Sequence, residues 1–458
     1  MTEQTAPAGL RKGMRSRHLV MMSLGAAIGA GLFVGSGKGI AAAGPAVLLA
    51  YLVAGAIVVL MMRMLGEMVA ADPNPGAFSH YAGSAFGPGV GFAVGWLWWV
   101  QEALVVAAEA VAAATILHGL IGGPEPWVWA LTFMVVFTAI NLAGVAKFGE
   151  FEFWFALIKI LFVLVFLAIG IAFLLGWTSA PSPGLSNVSE LMPNGWQGVI
   201  SALLVVAFAF GGIELVAIAA AETEDPERSV TRAIRTIIWR ILIFYVGTVA
   251  VIVLALRWND PAVAEGPFTA VLDAAGLPAA GTVLGAVIVV ALLSSLNANL
   301  YGASRMAYSL GERGMAPRAL TALDKRGVPA LGVVLTVIPG FLAVPATYVW
   351  GSAVLDNLLN LVGCTLIVTW LATMGSQYVL RRRAEREGRE LPLKMWLFPY
   401  LTVAALAGVF GILLLGLTVE STRNQIISTG ILVAVLFVIG TLLARRRAGE
   451  AVPESVEQ

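Results

Sequence analysis

Four ionisable residues stand inside long apolar stretches: Glu102, Glu109, Lys159 and Glu214. Each costs roughly 3 kcal/mol to place at the centre of a membrane helix, so each must be partnered or functional. Glu102 and Glu109 are seven residues apart, two helical turns, and share one face of their segment. That face is a candidate wall of a central cavity, suited to meeting a substrate ammonium group or to forming an interhelical bond as a protonated acid. Lys159 lies six residues into its segment, roughly 9 Å along the axis. Two readings are open for it: a side chain that snorkels to the interface, or a desolvated ammonium bonded to carbonyls freed by a nearby helix break. A second feature is the stretch Ser23–Gly35, in which four of thirteen residues are glycine. Glycine weakens a helix, yet it lets backbone unwind and approach a ligand, which in lipid survives only inside protein or along a cavity. The stretch reads either as a broken membrane helix that forms half of a site or as close packing of small residues.

The elements that must hold these groups are membrane helices. The chain has 458 residues, 59% hydrophobic and 12% charged, with a mean hydropathy of +0.88. That composition excludes a soluble protein and predicts an all-α polytopic membrane protein. Twelve spans are expected near 18–40, 46–70, 88–119, 127–146, 153–176, 198–220, 236–257, 280–308, 330–349, 354–379, 397–419 and 425–444. The first apolar run is too long for the core of a cleavable signal, and the N-terminal tail 1–17 is polar. Lysine and arginine gather on one side: Arg11 to Arg17, Lys147, Arg228 to Arg235, Arg313 to Arg326, Arg381 to Lys394 and Arg445 to Arg447. The other side holds little beyond Lys38, Arg257 and Arg423. The positive-inside rule then puts both termini in the cytoplasm of a cell with the protein in its inner membrane. Basic runs such as Arg381-Arg382-Arg383 serve as topology anchors, with no nucleic-acid partner implied. Asp225 and Pro226 read as the N-cap and first residue of the helix that becomes span seven.

Span six carries a second candidate break, Phe208-Ala209-Phe210-Gly211-Gly212-Ile213-Glu214. Spans one and six are five apart and so cross in opposite directions. Paired interrupted helices in antiparallel halves are the signature of an inverted-repeat secondary transporter, whose half-helix ends hold the charged groups of the substrate. The expected organisation is a first five-helix repeat at 18–176, an inverted second repeat at 198–379, two further helices at 397–444 and a cytoplasmic tail at 445–458. In span eight, Ser294, Ser295, Asn297 and Asn299 need partners; Asn297 is the first choice for a group that reaches the cavity.

The stretches Gly25–Phe33, Gly44-Pro45-Ala46, Arg63–Met68, Gly149–Lys159, the span-six segment and Ser304-Arg305-Met306 resemble the amino acid transporter family of the amino acid–polyamine–organocation superfamily. The similarity runs from about Gly13 to Arg447. Met192–Gly195, Ala219–Glu222, Ile238–Ile241, Leu296–Tyr301, Lys394–Leu397 and Ile427–Gly430 are most similar to bacterial γ-aminobutyrate permeases. The resemblance implies a LeuT-type fold with a 5+5 inverted repeat, two extra helices, broken spans one and six, alternating access and proton coupling. It implies that Ala27, Ile28, Gly29, Ala30 and Gly31 present backbone to the substrate carboxylate. Carbonyls near Phe208 and Gly211 would face the amine, and the ring of Phe208 would occlude the site. It also favours the functional reading of Lys159, in the place of a sodium ion in sodium-coupled relatives, with its protonation tied to the conformational cycle. Glu109 matches a recurring acid with a proton-linked or structural role, and Glu214 a gating or break-stabilising one. Glu102 departs from the pattern, since the γ-aminobutyrate permeases carry a bulky aromatic residue there; an extra carboxylate suits a substrate with a second or differently placed amine.

The implied function is proton-coupled import of a small amino acid, with γ-aminobutyrate the best single substrate. The alternatives are an amino acid exchanger, a carrier of an α- or cationic amino acid, and a membrane sensor. The short tails speak against a sensor. No nucleotide-binding G-x-x-x-x-G-K-[ST] loop is present, nor a nucleophile–base set or metal-ligand cluster, so neither an enzyme nor a metal site is expected. The proton is the sole coupling ion called for, with no cofactor. Single Cys364 excludes an internal disulfide. A monomer and a homodimer are both compatible with the sequence.

Overall fold

The computed structural model describes residues 28–74, 76–143, 148–215 and 241–450, together with positions 21, 217, 228, 231, 234 and 239. Ala27, the tail 1–17, Lys147, the Asp225-Pro226 helix start and residues 451–458 lie outside the described residues. What is described is helical, because a bilayer offers backbone amides and carbonyls no partner except one another. Nine helical stretches among the described residues are long and apolar enough to cross a membrane.

From the N-terminus, α1 (Ala30–Phe33) and α2 (Gly35–Ala43) follow an extended Gly29, and a short 3₁₀ turn at Gly44–Ala46 leads into α3 (Val47–Ala71). The amphipathic α4 (Ala77–Phe86) precedes α5 (Pro88–Ile121), α6 (Pro126–Ala143) and α7 (Phe148–Leu174). Then come α8 (Gly195–Ala209), a π-helical segment at Ile241–Gly247 that continues into α9 (Thr248–Ala255), and two short helices, α10 (Pro261–Glu265) and α11 (Pro267–Ala274). These short helices occupy a stretch that hydropathy alone marks as a loop; Asp260 caps α10 through the Ala262 amide at 2.9 Å. The chain closes with α12 (Pro278–Glu312), α13 (Ala330–Trp350), α14 (Ala353–Arg386), α15 (Tyr400–Gly416) and α16 (Glu420–Glu450).

Exposure sorts the helices into two groups. On α7, Trp154, Leu157, Ile158, Leu161 and Leu164 are exposed, and on α16 so are Ile431, Val435, Val438 and Leu442. Such surfaces suit lipid and would not survive in water. By contrast α3, α5, α12 and α14 are largely buried. At 34 residues, α5 is about 51 Å long, longer than the hydrocarbon core, and it packs against α4, α6, α12, α13, α14 and α16. It is the central post of the molecule, and the buried acids Glu102 and Glu109 hang from it.

One polar knot fastens the Arg-rich end. Glu67 on α3 is 2% exposed and accepts from Gln377 Nε2 at 2.9 Å, from Arg381 Nη1 at 3.3 Å and from the Met395 amide. Thr402 of α15 donates to Gln377 Oε1 at 3.2 Å, and Arg63 donates to the Lys394 carbonyl at 2.8 Å. Three helices and a loop thus converge on one carboxylate. Removing it takes the acceptor from the Gln377 and Met395 N–H groups, while Arg381 keeps Glu385 at 2.9 Å, so Glu67→Ala should lower stability by about 2–3 kcal/mol, read as thermal unfolding in detergent. Unchanged unfolding would place the strength of this end elsewhere.

Candidate functional site

The site is assembled where one helix begins and another ends. Gly29, with φ −137° and ψ −153°, is extended, and α1 begins immediately after it. The α8 helix ends at Ala209, and Phe210 to Glu214 form turns before helix resumes at Leu215. Gly212 has φ +88°, a left-handed conformation that disfavours any side chain. Phe210 anchors the turn, with its ring 5.9 Å from that of Tyr51 and 4.7 Å from that of Tyr245. The start of α1 touches the end of α8: a Cβ at Gly31 would collide with the Ala209 backbone and lie 2.9 Å from the Phe208 carbonyl oxygen. Only glycine permits that approach.

Glu109 of α5 reaches into this junction. The Ala30 amide donates to both its carboxylate oxygens, at 3.1 and 3.2 Å, and the Ser295 hydroxyl also bonds the carboxylate. An anion at the start of α1 is stabilised by the unpaired amides and the dipole there. Behind it, Lys159 of α7 is 1% exposed, 4.0 Å from Glu152 Oε1 and within electrostatic reach of Glu109. Ser294 donates to both oxygens of Glu152 at 3.0 and 3.1 Å. The snorkelling reading of Lys159 is therefore overturned: the side chain runs inward, toward carboxylates on its own helix and on α5.

A second acidic group sits one layer away. Gln101 Nε2 donates to Glu102 Oε1 at 3.2 Å and to Glu214 Oε1 at 3.4 Å, and all three residues are buried. Between the two groups lies a small cavity of about 20 Å³ lined by Gly29, Gly31, Glu102, Glu109, Phe208 and Gly211. A volume near 20 Å³ holds a single water-sized group. Above it opens a vestibule of about 1040 Å³, lined among others by Phe33, Val111, Lys38, Phe268 and Asp356. Phe33 and Val111 each lie two residues beyond a residue of the small cavity, about 3 Å along a helix. The Phe33 and Phe268 rings meet at 5.1 Å there, and Lys38 pairs with Asp356 at 2.9 Å.

Of the expected site residues, the junction brings together Gly29, Ala30, Gly31, Glu102, Glu109, Phe208 and Gly211, with Glu214 joined through Gln101. Ile28 is buried but does not line the cavity, and Ala27 lies outside the described residues. Asn297 is a correction. It accepts from Asn141 Nδ2 of α6 at 2.8 Å, away from the cavity, and Asn299 lines the cavity instead. The cause is helical geometry: Asn299 and Ser295 are four apart and share a face, with Asn299 Nδ2 3.4 Å from Ser295 Oγ, whereas position 297 points to the other side. Gln101 and Glu152 were not singled out from the sequence. Glu152 carried a usable signal, since it stands seven residues before Lys159 on the same helical face.

This geometry has relatives. The amino acid permease family model matches residues 18–450. The chain is 40% identical over 448 residues to the γ-aminobutyric acid permease of Bacillus subtilis, covering 97% of this chain and 96% of that one. It is 45% identical over 439 residues to the aromatic amino acid transport protein AroP of Corynebacterium glutamicum, covering 94% and 95%. Among solved structures, a mutant of the Eremococcus coleocola manganese transporter superposes with a TM-score of 0.57 at 16% identity, over 97% of this chain and 99% of that one, a likeness of fold. With a family match over nearly its whole length and relatives well above 30% identity, the chain belongs to the amino acid permease family: it is a multi-pass membrane transporter and not an enzyme.

Proposed function

We propose that this permease imports a small amino acid together with a proton, by alternating access, and that γ-aminobutyrate is its substrate. The observation that carries the reading is the bidentate hold of Glu109 on the Ala30 amide. A substrate carboxylate that docks on the backbone of Gly29 to Gly31 must displace the Glu109 carboxylate from that donor. Glu109, Glu152 and Lys159 together carry a net charge of −1 when all are ionised. A zwitterionic substrate brings its own ammonium, but the Glu109 carboxylate that it displaces is left beside the substrate carboxylate in a low-dielectric space without its donor, which is strongly unfavourable. A proton taken up by Glu109 releases the amide and removes the repulsion in one step. Lys159 holds the displaced side chain and, with Glu152, keeps α7 and α12 in register.

In this scheme the vestibule is the external entrance, since it lies at the lysine- and arginine-poor end, and both termini are cytoplasmic. Substrate enters past Phe33 and Phe268, and Phe208 closes over it. The junction of α1 with the α8 turn, where Gly31 meets Ala209, is the hinge about which the two sides open in alternation. The γ-aminobutyric acid permeases of Bacillus subtilis and Escherichia coli, at 40% and 39% identity, support the substrate. The 45% identity to the Corynebacterium protein favours an aromatic α-amino acid as the second reading.

Uptake of labelled γ-aminobutyrate into proteoliposomes should rise at least tenfold with an inward proton gradient and be blocked by excess unlabelled γ-aminobutyrate but not by phenylalanine. Block by phenylalanine, with no γ-aminobutyrate uptake, would move the chain to the aromatic reading; uptake indifferent to the gradient would remove proton coupling. Lys159→Ala should abolish gradient-driven accumulation while leaving measurable substrate binding, and intact accumulation would exclude Lys159 from the coupling. Gly31→Val should eliminate uptake at normal membrane levels, because its side chain wedges α1 from Ala209; normal uptake would deny the junction a role.

A further inference from the structure

Buried oxygen atoms without partners mark a place that the proton-coupling scheme does not use. Gln101 Oε1, Glu102 Oε2 and Asn299 Oδ1 are fully buried, and none has a hydrogen-bond partner; beside them stands Glu214, whose carboxylate also takes bonds from Trp98 and the turn backbone. The four residues are 1%, 1%, 1% and 2% exposed. Two carboxylates share the single amide nitrogen of Gln101, which satisfies one oxygen of each. Lys159, the buried lysine of the centre, is directed to Glu152 and Glu109. Gln101, Glu102 and Asn299 line the small cavity, and Glu214 stands behind Gln101.

We propose that Gln101, Glu102, Glu214 and Asn299 form a subsite for a small cationic group, an ammonium borne by the substrate several bonds away from its carboxylate. Burying an oxygen acceptor unpaired costs free energy that a donor of the right size recovers. An ammonium group has three donors and no acceptor, which matches the three unpaired acceptor oxygens of Gln101, Glu102 and Asn299. The cavity volume of about 20 Å³ admits one such group and little more. The approach has the same polarity: the vestibule is lined by Glu125, Glu265, Asp273 and Asp356 against Lys38 and His118, an acidic excess that concentrates cations at its mouth. The inference rests on the reading of this junction as the amino acid site. An ω-amino acid and a dibasic α-amino acid supply the same chemistry, an ammonium remote from the carboxylate, and the measurement separates them.

Calorimetric binding to the purified protein in detergent tests the subsite with two matched pairs. γ-Aminobutyrate and α-aminobutyrate are isomers that differ in where the amine stands; lysine and norleucine differ by the terminal amine. At least one pair should favour the remote ammonium tenfold or more, the first identifying an ω-amino acid and the second a dibasic one. Glu102→Gln should shrink that ratio below threefold, and Asn299→Leu should shift it in the same direction. Equal affinities within both pairs, or a ratio that survives in Glu102→Gln, would overturn the subsite. So would Glu102-dependent binding of sodium chloride, measured against choline chloride, with no preference within either pair. The transport reading fails separately, by absence of accumulation in proteoliposomes of a ligand that binds.

Discussion

A charged carboxylate in the dry interior of a membrane protein must find a donor or a counter-charge, and the centre of this permease is crowded with such demands. Glu102, Glu109, Glu152 and Glu214 are all buried there, with Lys159 as the buried lysine among the described residues. Their partners dictate the architecture. The Ala30 amide is open to Glu109 because α1 begins just after Gly29; Ser294 and Ser295 of α12 answer Glu152 and Glu109; Gln101 bridges the two remaining acids. Backbone without helical partners, at the start of α1 and in the turn after α8, is tolerated because it supplies polar groups to a protein-lined space.

The same constraint links structure to cycle. Displacing Glu109 from the Ala30 amide changes the charge balance between α5 and α7, so substrate arrival and proton arrival become one event in the scheme proposed here. The Glu67 knot at the Arg-rich end has the opposite character. Its donors, from α14 and the loop before α15, satisfy the carboxylate and tie those elements to α3.

Much of this was legible in the sequence, for identifiable reasons. Hydropathy marked the nine stretches that are helices of membrane length among the described residues, since twenty apolar residues in a row have few alternatives. Charge in an apolar run drew attention to Glu102, Glu109, Lys159 and Glu214, and glycine density drew it to Gly29 and Gly31. What a one-dimensional pattern lacks is the azimuth of each side chain about its helix. Asn297 and Asn299 are equally polar and two residues apart, yet opposite faces send one to Asn141 and the other to the cavity. Gln101 could not be separated from Glu102 by type alone, because its role comes from lying between two carboxylates contributed by distant segments. The helices α10 and α11 were also hidden, being too short to register in a membrane-length window.

The claim that substrate and proton enter together is tested most directly by the pH inside proteoliposomes. A pH-sensitive dye trapped in the lumen, with no initial proton gradient and with potassium and valinomycin to clamp the voltage, reports proton movement when γ-aminobutyrate is added outside. The account predicts lumenal acidification that tracks substrate entry and is absent in Lys159→Ala. Substrate accumulation in the lumen with no change in pH would contradict it.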